Sequence, residues 1–185
     1  MWKPLLLAFA FAGVVPGDAR APLDREPSIV GARVFYGPGP GFDTIDTDLI
    51  SRAKTRVDMT AYVLSDARVV DALAAAAARG VHIRLYLDPE QNGPRANARD
   101  SKLGALLRTP NVEARMKSSA GDLMHIKSYE VDGRWLRSGS ANFSFSGEAK
   151  QDNDIVVFES AEFADAYIRR FDDIWSRRDN GKFKP

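Results

Sequence analysis

Hydrophobic positions recur with two different periods along this chain, and the switches between them divide it into strands and helices. Arg33 to Tyr36 alternates as a short strand and stops at Gly37-Pro38-Gly39-Pro40-Gly41, a cluster that no regular element crosses. From Asp43 to Lys54 the period becomes helical: Asp43 stands at the cap position, and Ile45, Leu49, Ile50 and Ala53 form the inward stripe. The acidic residues Asp43, Asp46 and Asp48 suit the positive end of a helix dipole better than a metal site. Val57 to Leu64 reads as the next strand, Ser65-Asp66 as a cap, and Ala67 to Arg79 as a helix that buries Val69, Val70, Leu73, Ala76 and Ala77 and ends at Gly80. Val81 to Leu87 is again a strand, with Val81, Ile83, Leu85 and Leu87 on one face. This strand-helix-strand run predicts a βαβ unit with parallel strands.

Asp88 to Arg99 is rich in Pro, Gly and Asn and reads as a loop. Ser101 to Leu107 follows as a short helix, Val112 to Lys117 as a strand, and Ser118 to Asp122 as a flexible approach to the next element. Ile126 to Val131 and Arg134 to Ser138 read as two strands joined at Asp132-Gly133, a strong two-residue hairpin signal. Ser144 to Gln151 reads as a loop, Ile155 to Phe158 as a strand, and Ala161 to Arg178 as a helix whose apolar stripe is Phe163, Tyr167, Phe171, Ile174 and Trp175.

The first residues carry a different signal. Met1-Trp2-Lys3-Pro4 is a short positive region, Leu5 to Val15 is apolar, and Gly17 to Ala21 supplies small residues, the pattern of a cleavable export signal over residues 1–21. Cleavage after Ala19 is favoured over Ala21, because Pro22 would follow the scissile bond in the second case. The apolar run is shorter than the roughly 20 residues a bilayer span needs. The expectation is a periplasmic or secreted protein whose residues 22–185 form one domain. There is no cysteine, so disulfides, thiolate metal sites and cysteine nucleophiles are excluded. The formal net charge is +1, and it falls to about zero without residues 1–21. Polyanion binding then requires a local basic groove. Arg95, Arg99, Lys102, Arg108, Arg115 and Lys117 make one segment the most basic, either as a solvated face or as such a groove.

The chemistry concentrates in His125 to Asn142. On a strand, His125 and Lys127 project from the same side, and a hairpin return brings Ser140 and Asn142 back towards the same end. An imidazole, an ammonium, a hydroxyl and a carboxamide then converge, and the last three donate hydrogen bonds to phosphate oxygens. His82, the only other histidine, lacks the accompanying lysine and Gly-Ser-x-Asn, and reads as a strand histidine facing away from the apolar stripe. A histidine that is unprotonated in order to attack cannot simultaneously be the acid, so one good histidine per chain leaves the reaction one group short. The turn residue Asp132, before Gly133, also has a structural reason to be present.

The series His125-x-Lys127-x4-Asp132-x6-Gly139-Ser140-Ala141-Asn142 resembles the HKD motif of the phospholipase D superfamily, and the chain is most similar to its single-motif, Nuc-like endonucleases. The resemblance extends to the segments around Phe35-Tyr36, Asp58 to Leu64, the Ala-Arg-Gly-Val helix end and Tyr86-Leu87-Asp88. It implies an α/β fold in which a mixed, mostly β-sheet core is flanked by helices on both faces, with one motif per chain. It implies phosphodiester hydrolysis without metal or cofactor, through a phosphohistidine, at a site shared by two copies of the chain in a homodimer. In that scheme one His125 attacks phosphorus and the other protonates the leaving oxygen, while Lys127, Asn142 and Ser140 hold the phosphoryl oxygens. The implied substrate is DNA or RNA. A phospholipid is the alternative, and a nucleic-acid-binding protein with a vestigial site is a third class. The family usually has a glutamate about eleven residues after the Asn that orients the histidine. Here that position is Asn153, beside Asp154, and either residue is a candidate for the role.

Overall fold

The computed structural model describes residues 31–98 and 100–183. The segment read as an export signal lies outside the described residues. The apolar alternation is realised as one mixed sheet of eight strands among the described residues: β1 Gly31–Gly37, β2 Arg56–Ala61, β3 His82–Leu87, β4 Val112–Met116, β5 Lys127–Val131, β6 Trp135–Gly139, β7 Asn153–Glu159 and β8 Gly181–Lys182. Their spatial order is β1-β7-β6-β5-β2-β3-β4-β8. The pairs β2–β3 and β3–β4 are parallel, as the strand-helix-strand reading requires, and every other pair is antiparallel.

The helices are α1 Ile45–Ser51, α2 Ala67–Ala78, α3 Pro89–Asn97, α4 Lys102–Leu106, α5 Phe145–Ala149 and α6 Ala161–Trp175, with a 3₁₀ turn at Phe42–Thr44. One sheet face (Val57, Met59, Ile83, Leu85, Leu87, Tyr129, Val131, Ile155, Val157) packs against α1, α2 and α4 in the main core. The opposite face is covered in its middle by α6, where Tyr86 and Met124 meet Phe171, Ile174 and Trp175. The fold is thus the mixed sheet flanked by helices on both faces that the motif resemblance implies.

Several elements differ from the sequence expectation. The segment expected as a loop from Asp88 to Arg99 contains α3, because Asp88 accepts from the backbone N–H of Glu90 and Gln91 and Pro89 occupies the first turn. The expected loop from Ser144 to Gln151 contains α5, capped by the Ser144 hydroxyl on Gly147 N–H. Asp43 does not cap a helix; it lies in the 3₁₀ turn and pairs with Arg68 at 2.6 Å. Asp132 (φ 55°) and Gly133 (φ 66°) both take the left-handed region of a type I′ turn, but Val131 pairs with Trp135, so the return strand begins one residue later than Arg134. Phe163 is 40% exposed and packs on Phe158 at 4.9 Å, outside the buried stripe of α6.

Candidate active site

The C-terminal ends of β1, β2, β3 and β6 and the N-terminal ends of β5 and β7 lie along one edge of the sheet, as the register dictates. His125 stands two residues before the start of β5, exposed to solvent. Its ring lies 4.5 Å from the ring of Tyr62, which follows β2, and Tyr62 N–H donates to the Ile126 carbonyl at 3.1 Å, extending the β2–β5 ladder. Lys127 is only 6% exposed. Its ammonium donates to the His125 carbonyl at 2.8 Å and sits 4.8 Å from the Tyr62 ring centroid. Burial, helped by the nearby Arg137 guanidinium, lowers the Lys127 pKa from its ordinary value.

The hairpin return brings the remaining motif residues back to this edge. Arg137, fully buried on β6, is the agent: one of its nitrogens donates to both the Lys127 carbonyl at 3.0 Å and the Ala141 carbonyl at 3.1 Å. The histidine-lysine segment and the Ser140-Ala141-Asn142 segment are therefore clamped by a single guanidinium. Asp46 of α1 holds Arg137 through two bonds of 2.8 and 2.7 Å and also accepts from the Tyr129 hydroxyl. Asp46 is thus a buried ion-pair partner and not simply a helix-dipole residue. Breaking one side of such a buried pair costs on the order of 3–5 kcal/mol. Sequence reasoning passed over Arg137, although an arginine within the alternating pattern of a strand is itself a signal that a buried carboxylate faces it.

The Ser140 hydroxyl donates to the Asn153 side-chain Oδ1 at 3.1 Å and accepts from Asp154 N–H at 2.9 Å. Asn142 lies beside them, and its Oδ1 is buried without a hydrogen-bond partner among the described residues. A side chain on Gly147 would sit 2.5 Å from the Asn142 carbonyl oxygen, so the close approach of α5 needs glycine there. Strand alternation sets Asn153 on the same sheet face as Lys127 and Arg137, and Asp154 on the other. The Asn153 carboxamide is occupied by Ser140 and by the Gly147 carbonyl, and the Asp154 carboxylate accepts from Ser140 N–H. Neither makes a hydrogen bond to His125.

Asp132 lies at the opposite end of the hairpin. Its carboxylate accepts from the N–H groups of Lys54, Thr55 and Arg56 and from the Thr55 hydroxyl, at 2.8–2.9 Å. Burial alone raises its pKa, but these donors outweigh burial and hold it below the ordinary aspartate value. It touches none of the other motif residues. His82 starts β3 at the same distant end, where it bonds Glu113 at 2.8 Å.

Two further features bear on the site. Glu148 of α5 is 1% exposed, and both its carboxylate oxygens lack a hydrogen-bond partner among the described residues. Its pKa is pushed up to about 8, first by burial and then by Asp46 and Asp66, against the pull of Arg137 and Arg68. Within the basic segment, Lys102 pairs with Asp71, Arg115 stacks on Trp175, and Lys117 donates to the Asp122 and Leu123 carbonyls. Arg95 and Lys102 do line a hollow with Leu64 and Ser65 beside the site, and Arg99 lies outside the described residues. Among the described residues, no group of three or more His, Cys, Asp or Glu is placed to hold a metal ion.

Residues 47–175 match the family model described as cardiolipin synthase, PLD-like domain. The chain belongs to this phospholipase D-like family. Among its relatives, it is 30% identical over 138 residues to a phospholipase D of Rickettsia bellii, covering 74% of this chain and 65% of that one. It is 26% identical over 149 residues to a mitochondrial cardiolipin hydrolase of Danio rerio, covering 80% and 63%. The chain thus spans slightly under two thirds of the length of these curated relatives. Of solved structures, it resembles Nuc from Salmonella typhimurium (TM-score 0.71, 24% identity, 85% of this chain and all of that one). NucT from Helicobacter pylori is similar at TM-score 0.72 and 20% identity, covering 84% and all of that chain. At these identities the two structures speak for the fold.

Proposed function

We propose that this protein is a phosphodiesterase of the phospholipase D superfamily, acting as an exported, metal-independent endonuclease on DNA or RNA. The observation that carries the reading is one accessible imidazole beside a desolvated ammonium, at an edge where Ser140 and Asn142 supply further donors. In water an ammonium is strongly solvated. Lys127, stripped of most of that water, gains more from a phosphate oxygen, and the gain is largest for the doubly charged five-coordinate transition state.

The reaction needs both a nucleophile and an acid. The His125 imidazole attacks phosphorus, forming a P–N bond as the P–O bond to the leaving group breaks, and a second imidazole gives its proton to the departing oxygen. His82, bonded to Glu113 at the far end of β3, is not available for this. The second imidazole is therefore assigned to His125 of the partner subunit in a two-fold homodimer, and it then takes a proton from the water that hydrolyses the phosphohistidine. Exposed Leu123 and Ile126 flank His125, Phe145 follows Asn142, and Tyr36 stands at the same edge. An apolar rim around a polar centre supports its burial against a second copy.

The same rim also supports a lipid phosphodiester as substrate, in keeping with the names of the phospholipase D and cardiolipin hydrolase relatives. One assay separates the readings: plasmid DNA, RNA and phosphatidylcholine vesicles incubated with the protein, with and without EDTA, beside His125→Asn. Nucleic-acid cleavage that survives EDTA and is lost in the variant is expected. Cleavage of the vesicles alone selects the lipid reading. Binding of nucleic acid with no cleavage of any substrate leaves a vestigial site, and cleavage by the variant overturns the mechanism.

A further inference from the structure

The His125 ring has no hydrogen-bonding side chain to orient it among the described residues, yet the chain on either side of it is tightly held. Asp88, 1% exposed, caps α3 through Oδ1 and accepts from Met124 N–H through Oδ2 at 3.1 Å. The Met124 side chain is sunk in the aromatic cluster under α6. On the other side, Ile126 is fixed by Tyr62 N–H. The position of Tyr62 is set in turn by Asn92, a fully buried residue one turn into α3. Its amide donates to the Tyr62 carbonyl at 2.8 Å and to the Asp88 carbonyl at 3.0 Å, and its oxygen accepts from Leu64 N–H at 2.9 Å. Two buried polar side chains from the first turns of α3 thus grip both segments that hold the imidazole: the residue before it and the residue whose ring lies against it.

We propose that Asp88 and Asn92 are positioning residues for His125, acting through Met124 and Tyr62 in place of a hydrogen-bonding side chain on the imidazole itself. The physical case rests on saturation. Both Asp88 oxygens and the polar atoms of the Asn92 side chain are bonded to backbone, so neither residue is available to substrate. An aspartate needed only to start α3 would have no reason to reach Met124. A buried backbone anchor is also stiffer than one long side chain bonded to the ring, because it fixes two peptide planes at once. The inference rests on His125 being the reacting group, as proposed above.

The discriminating variant is Asp88→Asn, which caps a helix about as well as aspartate but has only one acceptor oxygen, so the helix cap and the Met124 anchor can no longer both be made. With bis(4-nitrophenyl) phosphate as the probe, kcat is expected to fall about 10- to 100-fold with KM within a few-fold, since a misplacement of about 1 Å can cost that much. His125→Asn, assayed alongside, tests the reaction itself. Activity in that variant refutes the parent reading, whereas loss there with wild-type kcat in Asp88→Asn refutes only the positioning role. A second readout needs no turnover. The chain has two histidines, so proton NMR resolves two sets of ring signals. In Asp88→Asn and Asn92→Ala the His125 ring signals should shift, because the ring moves relative to the Tyr62 ring, while the distant His82 signals stay in place. Unmoved His125 ring signals, or equal movement of both histidines, overturn the proposal.

Discussion

At the turn end of the β5–β6 hairpin, Asp132 meets four donors from the consecutive residues Lys54, Thr55 and Arg56, and its charge is fully answered by protein. At the open end the balance is reversed. Among the described residues, the His125 ring is solvent-facing, the Lys127 ammonium has a single carbonyl and a ring face, Asn142 Oδ1 is unbonded, and Glu148 is buried with no hydrogen bond and only the Arg68 guanidinium at 3.5 Å. Residues of one sequence motif thus sit in opposite physical conditions about a strand's length apart. The satisfied end stabilises the fold. At the open end the Lys127 ammonium is the group a phosphate oxygen can satisfy, whereas Asn142 Oδ1 and the Glu148 carboxylate beside Arg68 can only accept and need a donor.

The largest test of this contrast is His125→Asn. It should lower phosphodiester hydrolysis by roughly 10⁴-fold or more with little change in melting temperature, because the exposed ring makes no hydrogen bond among the described residues and meets the fold at the Tyr62 ring. Lys127→Met comes next, with kcat down by about 10²- to 10³-fold. The same change should not destabilise the protein, since the folded state already disfavours the charged lysine. Denaturation alongside kinetics checks both outcomes, and a large loss of stability in either variant would erase the distinction between the two ends.

The third test uses Glu148. Its folded pKa of about 8 lies above the ordinary 4.5, so between those values the folded state binds more protons than the unfolded state. Stability from this group is therefore present below about pH 4.5 and declines as pH rises towards 8. Urea denaturation from pH 5 to 9 should show the native protein losing on the order of 3 kcal/mol that Glu148→Gln does not lose. The smallest effect is expected at the satisfied end. Asp132→Ala should cost about 2 kcal/mol of stability and leave kcat within a few-fold. Its folded pKa is lowered, so its contribution is present above the ordinary value and disappears as pH falls through the folded one. The stability difference between native protein and variant should accordingly close on acidification below pH 4.

Much of this was legible along the chain. The strands of the main core, the parallel βαβ unit and the Asp132-Gly133 turn follow from period and turn chemistry, and the motif spacing picks out the edge where His125 and Lys127 stand. The helix α3 was missed because Pro89, Gly93 and Pro94 read as loop residues, even though Asp88-Pro89 is a capping pair with proline in the first turn. At five residues, α5 is too short to display a period.

What the sequence determined by itself was local: which residue types recur at period two or 3.6, where the chain must turn, and which donors a phosphate would meet. Tertiary structure decided how those donors are held. Asp46 and Arg137 are 91 residues apart, and Asp88 is 36 residues from Met124, so nothing in a local window joins either pair. Burial creates the demand that couples them, because a charge or an N–H removed from water must find a partner wherever the fold offers one. His125 is readable from its neighbours in sequence as the candidate for a reactive histidine, but the segments on either side of it are held by residues that become neighbours only when the sheet closes.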